Sequence, residues 1–579
     1  MPVDVSIRIG GQAGQGMQSI SFIMGKIFTR HGYYVFINQD VESRIRGGHN
    51  FNQIRIKDEP VHAISHKVDL LIALDKGTID QDLPELIEDG VLIFDGPQTG
   101  FTSDNSNHLS VPMEKLATEA GKNKIMINSV ATGAAFALLE YDLEPLLGRL
   151  EEEFGGKGEE IVRNNQNSAL AGYRYVQENF RGVCPYRIPP APLTKRNMLL
   201  NGSQAMALGA ICSGLKFYSG YPMSPSTPIM EFVASVSKEY DIIVEPAEDE
   251  IAAINMVIGA SFAGVRAMTA TSGGGFSLMA EGLGLAGMTE TPAVVVVAQR
   301  PGPSTGLPTR TEQADLRFVI HAGHGEFPRA VFAPGYAEQA FYLMGKAFNI
   351  AERYQTPVIV MGDQHFNDSY FTVDQLDLGK IRIDRGETVG DDTIPSVKDY
   401  KRYAWSESGI SPRILPGQSE AVLYADSDEH TEAGHITESA EVRKRMVLKR
   451  MRKLQGMSRE MGPPEMSPSN NGDIVLLGWG STYGAMKEAV ELMNGEGLRA
   501  KMLHFSEIHP FPSRGFSKKT IGDAKVFAVE NNHAGQFADL LSCETGIPVS
   551  HKILKYDGRP FSPQEIVTKV KEWISGRKK

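Results

Sequence analysis

Short apolar runs separated by longer mixed stretches dominate this chain. Up to about Gly182, the runs Val68–Leu74, Val91–Phe94 and Ile125–Ile127 are brief, rich in aliphatics and followed by Asp or Asn. That is the pattern of strands buried on both faces of a parallel sheet. Val5–Ile9 alternates apolar and polar residues before a run of glycines, which predicts a strand with one more exposed face. Four prolines among residues 185–197 (PYRIPPAPLTKRN) predict a stiff extended linker. Beyond it, Ile242–Glu245, Arg266–Thr271, Ala293–Ala298, Val331–Ala333 and Val358–Met361 read as strands, and AVVVVA at 293–298 as a central one. Polar residues with scattered Pro and Gly fill 391–471. Within them, Val442–Leu454 (VRKRMVLKRMRKL) predicts a basic amphipathic helix, read as a solvated helix packed on a neighbour in preference to a membrane-surface helix. The runs IVLLGWGS, RAKMLHF and KVFAVENN mark a last, smaller unit. The expectation is an α/β chain with three α/β domains, 1–184, 198–390 and 472–579, joined by the linker 185–197 and a connecting segment 391–471.

Charge and cysteine content narrow the function. A net charge of -11 over 579 residues argues against nucleic acid as the main ligand. The three cysteines, Cys184, Cys212 and Cys543, form no C-x-x-C, so this chain can supply neither a four-cysteine iron–sulfur site nor a four-cysteine zinc site. Few cysteines, no basic and apolar leader in MPVDVSIRIGG and no run of about 18 apolar residues give the expectation of a cytoplasmic protein without signal peptide or membrane span.

Seven stretches carry candidate chemistry. Gly10 to Gly16 (GGQAGQG) follows a strand and precedes a helix. Glycines there let backbone N–H groups approach a phosphate, though the spacing is neither the dinucleotide fingerprint nor a P-loop, and a bare turn explains it equally. Arg44 and Arg46, in SRIRGG, offer paired donors to phosphate, or a surface ion-pair cluster. Gly220 to Pro228 (GYPMSPSTP) is a proline-stiffened loop of hydroxyls that suits a carboxylate or carbonyl, or merely caps a helix. Glu245 to Glu250 (EPAEDE) opens a helix, where carboxylates favour the positive end of the dipole anyway. The loops after 266–271 and 293–298, TSGGGFSLM and QRPGPSTGLPT, lie at strand ends, where α/β sites form. His321, His324 and Glu326 (HAGHGE) read as structural or cofactor-side residues in preference to metal ligands.

Taken in order, these motifs resemble those of 2-oxoacid:ferredoxin oxidoreductases over nearly the whole chain: a gamma domain, a thiamine-pyrimidine-type domain and a transketolase C-terminal-like domain. The resemblance implies that Gly14, Gly16, Arg44 and Arg46 lie on the coenzyme A side. It implies that Tyr221, Pro222, Ser272 and Gly273 border thiamine diphosphate, and that Glu250, in preference to Glu248, is the carboxylate beside the pyrimidine N1′ that readies the thiazolium C2 to lose its proton. Glu250, Ala252, Ala253 and Gly259 fit the family register. It implies that Arg300 meets the substrate carboxylate with Thr309 close by, and that Ser224, where the family has threonine, touches the 2-oxoacid. Met223 and Gly274 depart from the family's Y-P-I-T-P and T-S-G-P-G-F patterns, which bears on substrate preference.

The G-D-G motif that would hold Mg2+ and the diphosphate occurs nowhere. The resemblance therefore implies a partner: a beta subunit carrying G-D-G and the cysteines of a [4Fe-4S] cluster, in an αβ pair or a dimer of such pairs. The implied reaction oxidises a 2-oxoacid, 2-oxoglutarate before pyruvate, with coenzyme A to acyl-CoA and CO2, with ferredoxin taking the electrons. A decarboxylase or transketolase-like enzyme and a non-catalytic nucleotide-binding regulator are the competing classes.

Overall fold

The computed structural model of the chain describes residues 2–43, 47–189, 197–389, 400–468, 472–512 and 514–576. It holds three sheets in two compact units. Of the proline-rich stretch, 190–196 lie outside the described residues, as do 390–399 and 469–471 of the connecting segment.

The first unit comprises residues 1–200, 368–376 and 562–564. Its eight-stranded mixed sheet runs in the order His108–Ser110, Leu86–Phe94, Val68–Ala73, Asp4–Gly11, Asn50–Lys57, Tyr34–Asp40, Tyr370–Val373, Met198–Asn201. The strands at 68–73 and 86–94 are parallel neighbours, buried as their apolar runs imply. Two expectations are corrected here. Asp4–Gly11 is an interior strand, parallel to 68–73 on one side and antiparallel to 50–57 on the other. Its polar face is buried: Ser6 accepts from Gln53 Nε2 at 2.7 Å, and Arg8 pairs with Asp82 at 3.1 Å and Glu85 at 2.7 Å. Polar alternation there marks a satisfied internal network, not solvent. Ile125–Ile127 is no strand. The Asn123 side chain accepts from the Ile125 N–H at 3.0 Å and starts a 3₁₀ turn that runs into the helix Ile127–Leu138. Three apolar residues cannot distinguish a strand from a first helical turn.

The second unit comprises 201–367, 377–561 and 565–579. Its seven-stranded sheet has the order Glu507–His509, Ala330–Phe332, Pro357–Asp363, Ala293–Gln299, Arg266–Thr271, Leu215–Gly220, Ile243–Pro246. All pairs are parallel except 507–509 with 330–332. Ala293–Gln299 is central and wholly buried, as its run of small and β-branched residues predicts. The third sheet, in this same unit, orders Glu465–Ser467, Ala500–Phe505, Ile474–Trp479, Lys525–Glu530 and His551–Leu554. One core joins the faces of both sheets, with Val295, Val297, Met361, Trp479 and Phe505 among its members.

The basic helix extends over Ala440–Glu460. It packs on a neighbour, and Arg443, Lys444, Arg445 and Arg452 are exposed, but not all of its basic residues are solvated. Lys449 and Lys453 are buried against the Glu290 carboxylate at 2.7 Å each, and Arg402 donates to the Glu290 carbonyl at 2.7 Å. Among the described residues no helix is long and apolar enough to cross a membrane.

Candidate active site

The parallel strands of the second unit deliver their loops to one edge, and four of them carry the candidate chemistry. The helix Glu250–Phe262 begins where the strand Ile243–Pro246 ends. Asp249 caps it, its side chain accepting from the Ala252 N–H at 2.8 Å. The cap turns the next side chain inward: Glu250 is 2% exposed, whereas Glu248 lies on the surface. Thr271, the last residue of its strand, donates its hydroxyl to Glu250 Oε1 at 3.2 Å. The glycine loop after Thr271 closes over this pair. A Cβ at Gly275 would overlap both Thr271 Oγ1 and Glu250 Oε1. At the other end of the loop, a Cβ at Gly273 would overlap the Asp315 carboxylate. Glycine is required there by the close approach of backbone to two acids.

The proline loop completes this edge. Ser226 folds back, donating its hydroxyl to the Met223 carbonyl at 2.6 Å, and Ser272 Oγ contacts Met223 Sδ at 2.6 Å. Arg300, immediately after the central strand, donates from Nη1 to the Ser224 carbonyl at 2.7 Å, while its Nε is buried without a partner. Burial lowers the pKa of Arg300, and Asp315 partly offsets this. Burial pushes Asp315 up to about 6, against the pull of Arg300. Glu312 is pushed up to about 7 by burial and then by the charge of Asp315.

The structure thus brings together Glu250, Ser272, Gly273, Ser224 and Arg300. Tyr221, 41% exposed, and Pro222 stay on the surface. Among the described residues the Thr309 hydroxyl has no hydrogen bond. The fixed hydroxyl is Thr311, which donates to Asp363 Oδ1 at 3.1 Å. His321, His324 and Glu326 are exposed, and no three His, Cys, Asp or Glu among the described residues come together to hold a metal ion. Sequence reasoning missed Thr271, Glu312 and Asp315. Thr271 was visible as the polar end of a buried strand. Nothing in TRTEQAD separates two site acids from ordinary loop acids.

In the first unit, Gly14 and Gly16 both have positive φ, 90° and 79°, and Gly16 is the N-cap of the helix Met17–Arg30. The turn is closed by Gln15, whose Oε1 accepts from the Gln12 N–H at 2.6 Å. A Cβ at Gly16 would overlap the Asn128 amide. Arg44 and Arg46 lie outside the described residues. Gly47, just after them, accepts from the Ala13 N–H at 3.5 Å.

A family model described as pyruvate flavodoxin/ferredoxin oxidoreductase, thiamine diphosphate-binding, matches residues 208–449, and one described as pyruvate ferredoxin/flavodoxin oxidoreductase matches 6–175. The alpha subunit of a 2-oxoacid:ferredoxin oxidoreductase from Saccharolobus solfataricus is 34% identical, covering 98% of this chain and 97% of that one. The chain belongs to the 2-oxoacid:ferredoxin oxidoreductase family. A second relative, the 2-oxoglutarate synthase subunit KorA of Methanothermobacter thermautotrophicus, is 31% identical over 64% of this chain and 97% of its own. Among solved structures, a 2-oxoglutarate:ferredoxin oxidoreductase from Magnetococcus marinus, with 2-oxoglutarate, coenzyme A and succinyl-CoA bound, superposes with a TM-score of 0.90 at 32% identity over 99% of both chains. The resemblance read from GGQAGQG, GYPMSPSTP and TSGGGFSLM is therefore correct for the family, for the α/β fold and for a thiamine diphosphate-binding domain. Both of those relatives are named as subunits of their enzymes.

Proposed function

We propose that this 2-oxoacid:ferredoxin oxidoreductase subunit works on 2-oxoglutarate, which it decarboxylates oxidatively with coenzyme A to succinyl-CoA and CO2, two electrons passing to ferredoxin. The observation that carries the reading is the Glu250 carboxylate: buried, held by Thr271 and roofed by a glycine loop too close for any side chain. These residues fit the pyrimidine half of thiamine diphosphate. That cofactor, when bound, supplies the electron sink for loss of CO2. Glu250 would hold the pyrimidine N1′ edge, and the backbone of Ser272–Gly275 would line the pocket beside Tyr221 and Pro222. Arg300 would orient the substrate carboxylate, with Ser224 and Thr309 as nearby hydroxyls. Gly14, Gly16, Arg44 and Arg46 would face coenzyme A.

The diphosphate, Mg2+ and a [4Fe-4S] cluster would fall to a beta subunit, since this sequence has neither G-D-G nor C-x-x-C. Apolar side chains left uncovered around Glu250 support such a partner: Ile251 and Met256 on the same helix and Leu278 after the glycine loop, 49%, 38% and 49% exposed. The names of the M. marinus and M. thermautotrophicus proteins favour 2-oxoglutarate.

The test is co-expression with a chain carrying G-D-G and C-x-x-C, followed by assay with thiamine diphosphate, Mg2+, coenzyme A and a low-potential viologen. Coenzyme A-dependent dye reduction, faster with 2-oxoglutarate than with pyruvate, is the expected result. A preference for pyruvate would overturn the substrate. No reduction with any 2-oxoacid by a folded, cluster-loaded complex would return the chain to the nucleotide-binding regulator class.

A further inference from the structure

Three consecutive glycines, Gly273 to Gly275, open the short helix Gly273–Leu278 over Glu250. Two of them are required by contact, Gly273 with Asp315 and Gly275 with Thr271 and Glu250. Gly274 is not: it is exposed and helical, and a Cβ there would meet nothing nearer than the Ser304 carbonyl at 3.9 Å. Its effect is on entropy, because glycine loses more freedom on ordering than any other residue. The usual brace of a helix start is missing as well. Ser272 stands at the N-cap, yet its side chain caps no helical N–H. Ser272 is fully buried, and its hydroxyl donates to Met223 Sδ at 2.6 Å instead. Met223 stands on a fixed base. Its carbonyl accepts from the Ser226 N–H at 2.9 Å and from the Ser226 hydroxyl at 2.6 Å. The Ser224 carbonyl is held by Arg300, and the Pro225 carbonyl accepts from Asn367 Nδ2 at 3.4 Å. The Met223 sulfur also lies 4.0 Å from Thr271 Oγ1, the hydroxyl that holds Glu250. A thioether is a weak acceptor on a long unbranched arm, which suits it to reach between two loops.

We propose that Met223 is a positioning residue: its thioether latches Ser272 and so orders the glycine loop over Glu250, giving the pyrimidine of thiamine diphosphate a preformed pocket. The inference rests on the function proposed above. Met223 and Gly274 are both departures from the family's motifs, and they compensate one another. The sulfur supplies from outside the order that a proline at 274 would build into the backbone. A proline is tolerated in a first helical turn, where the N–H groups have no intrahelical partner. The latch joins the proline loop, fixed at three successive carbonyls, to the loop that would otherwise be the least constrained wall of the pocket.

The experiment uses the reconstituted complex as wild type, Met223→Leu, Met223→Gln, and Met223→Leu combined with Gly274→Pro. Two quantities are read: the dissociation constant of thiamine diphosphate with Mg2+ by calorimetric titration, and amide hydrogen exchange over residues 272–279 in the cofactor-free complex. Leucine nearly keeps the volume and removes the acceptor. Binding about three- to tenfold weaker is expected, the value of one hydrogen bond, with faster exchange over 272–279. Met223→Gln retains an acceptor on an unbranched arm and is expected to stay near wild type. Gly274→Pro is expected to restore most of both losses in the leucine background. KM for coenzyme A, whose proposed site lies in the other unit, is expected to stay unchanged throughout. Wild-type binding and exchange in Met223→Leu would overturn the proposal. So would equal losses in Met223→Leu and Met223→Gln, or no recovery with the proline. A KM for coenzyme A that rises in step with the dissociation constant would mark a merely structural role and overturn it too. Should Met223→Leu fail to fold, Ser272→Ala removes the same bond from its other end and carries the same expectations. A wild-type complex that binds no thiamine diphosphate would count against the function itself, and the exchange measurement would still decide the latch.

Discussion

Replacing Glu290 by Gln is expected to be among the most damaging single changes far from the glycine loops. The Glu290 carboxylate is fully buried, with Lys449 Nζ at 2.7 and 2.9 Å from its two oxygens and Lys453 Nζ at 2.7 Å. Burial alone would raise its pKa, but Lys453, Lys449 and Arg402 outweigh that and hold it well below the usual carboxylate range. Three cations thus share one anion in a dry site. Gln keeps the volume and removes the charge, stranding two ammonium groups. Breaking a buried pair in this way costs about 3–5 kcal/mol. Lys453→Met, by contrast, removes an excess cation and leaves the Glu290–Lys449 pair, so a cost below about 1 kcal/mol is expected. Burial pushes Lys453 down to about 7, further than Glu290 can restore it. Between pH 7 and the unfolded lysine value of 10.5 the unfolded chain therefore binds more protons, so this group's contribution to stability rises with pH. Lys453→Met removes that slope. Urea unfolding of the three proteins from pH 7 to 9.5, with hydrogen exchange read on the helix 440–460, measures all of this. Equal stability of Glu290→Gln and wild type, or an equal loss in Lys453→Met, would refute the reasoning.

Glu250→Gln keeps the shape and hydrogen-bond reach of the buried carboxyl, so a normally folded chain with dye reduction about 10²–10⁴-fold slower is expected in the complex. Gly275→Ala drives a methyl into Thr271 and Glu250; titration of the complex with thiamine diphosphate should show weakened binding before any loss of global fold. Asp315 has its folded pKa raised to about 6 from 3.8, so the folded state binds the extra proton and this group's stability contribution falls as pH rises through that window. Asp315→Asn should therefore gain in Tm relative to wild type on going from pH 5 to pH 8. Gly16→Ala combines a left-handed φ of 79° with overlap on the Asn128 amide, a strain of about 1–3 kcal/mol; a raised KM for coenzyme A with little change in KM for the 2-oxoacid is the expected signature.

What could be read from the sequence was local. AVVVVA at 293–298 pointed to an interior strand, because four consecutive valines favour a buried pleated surface over a helix. The glycine and proline loops announced themselves by residues that act on their own backbone. The absence of G-D-G and C-x-x-C was likewise complete in the sequence, and with it the need for a second chain in the proposed chemistry. Burial was decided elsewhere. Arg8 and Ser6 looked like a solvent face until Asp82, Glu85 and Gln53 were brought to them from remote strands and turns. Lys449 and Lys453 looked like a solvated stripe until a single remote acid, Glu290, neutralised them. Glu250 and Glu248, two residues apart in one acidic run, differ only in which one the Asp249 cap turns inward beneath Gly275. Glu312 and Asp315 were ordinary loop acids until Gln299, Asn531 and Asp363 pinned the loop. A side chain's type is written at its own position, but its environment is assembled from segments 16 to 218 residues away, and the chemistry of a buried charge belongs to that environment.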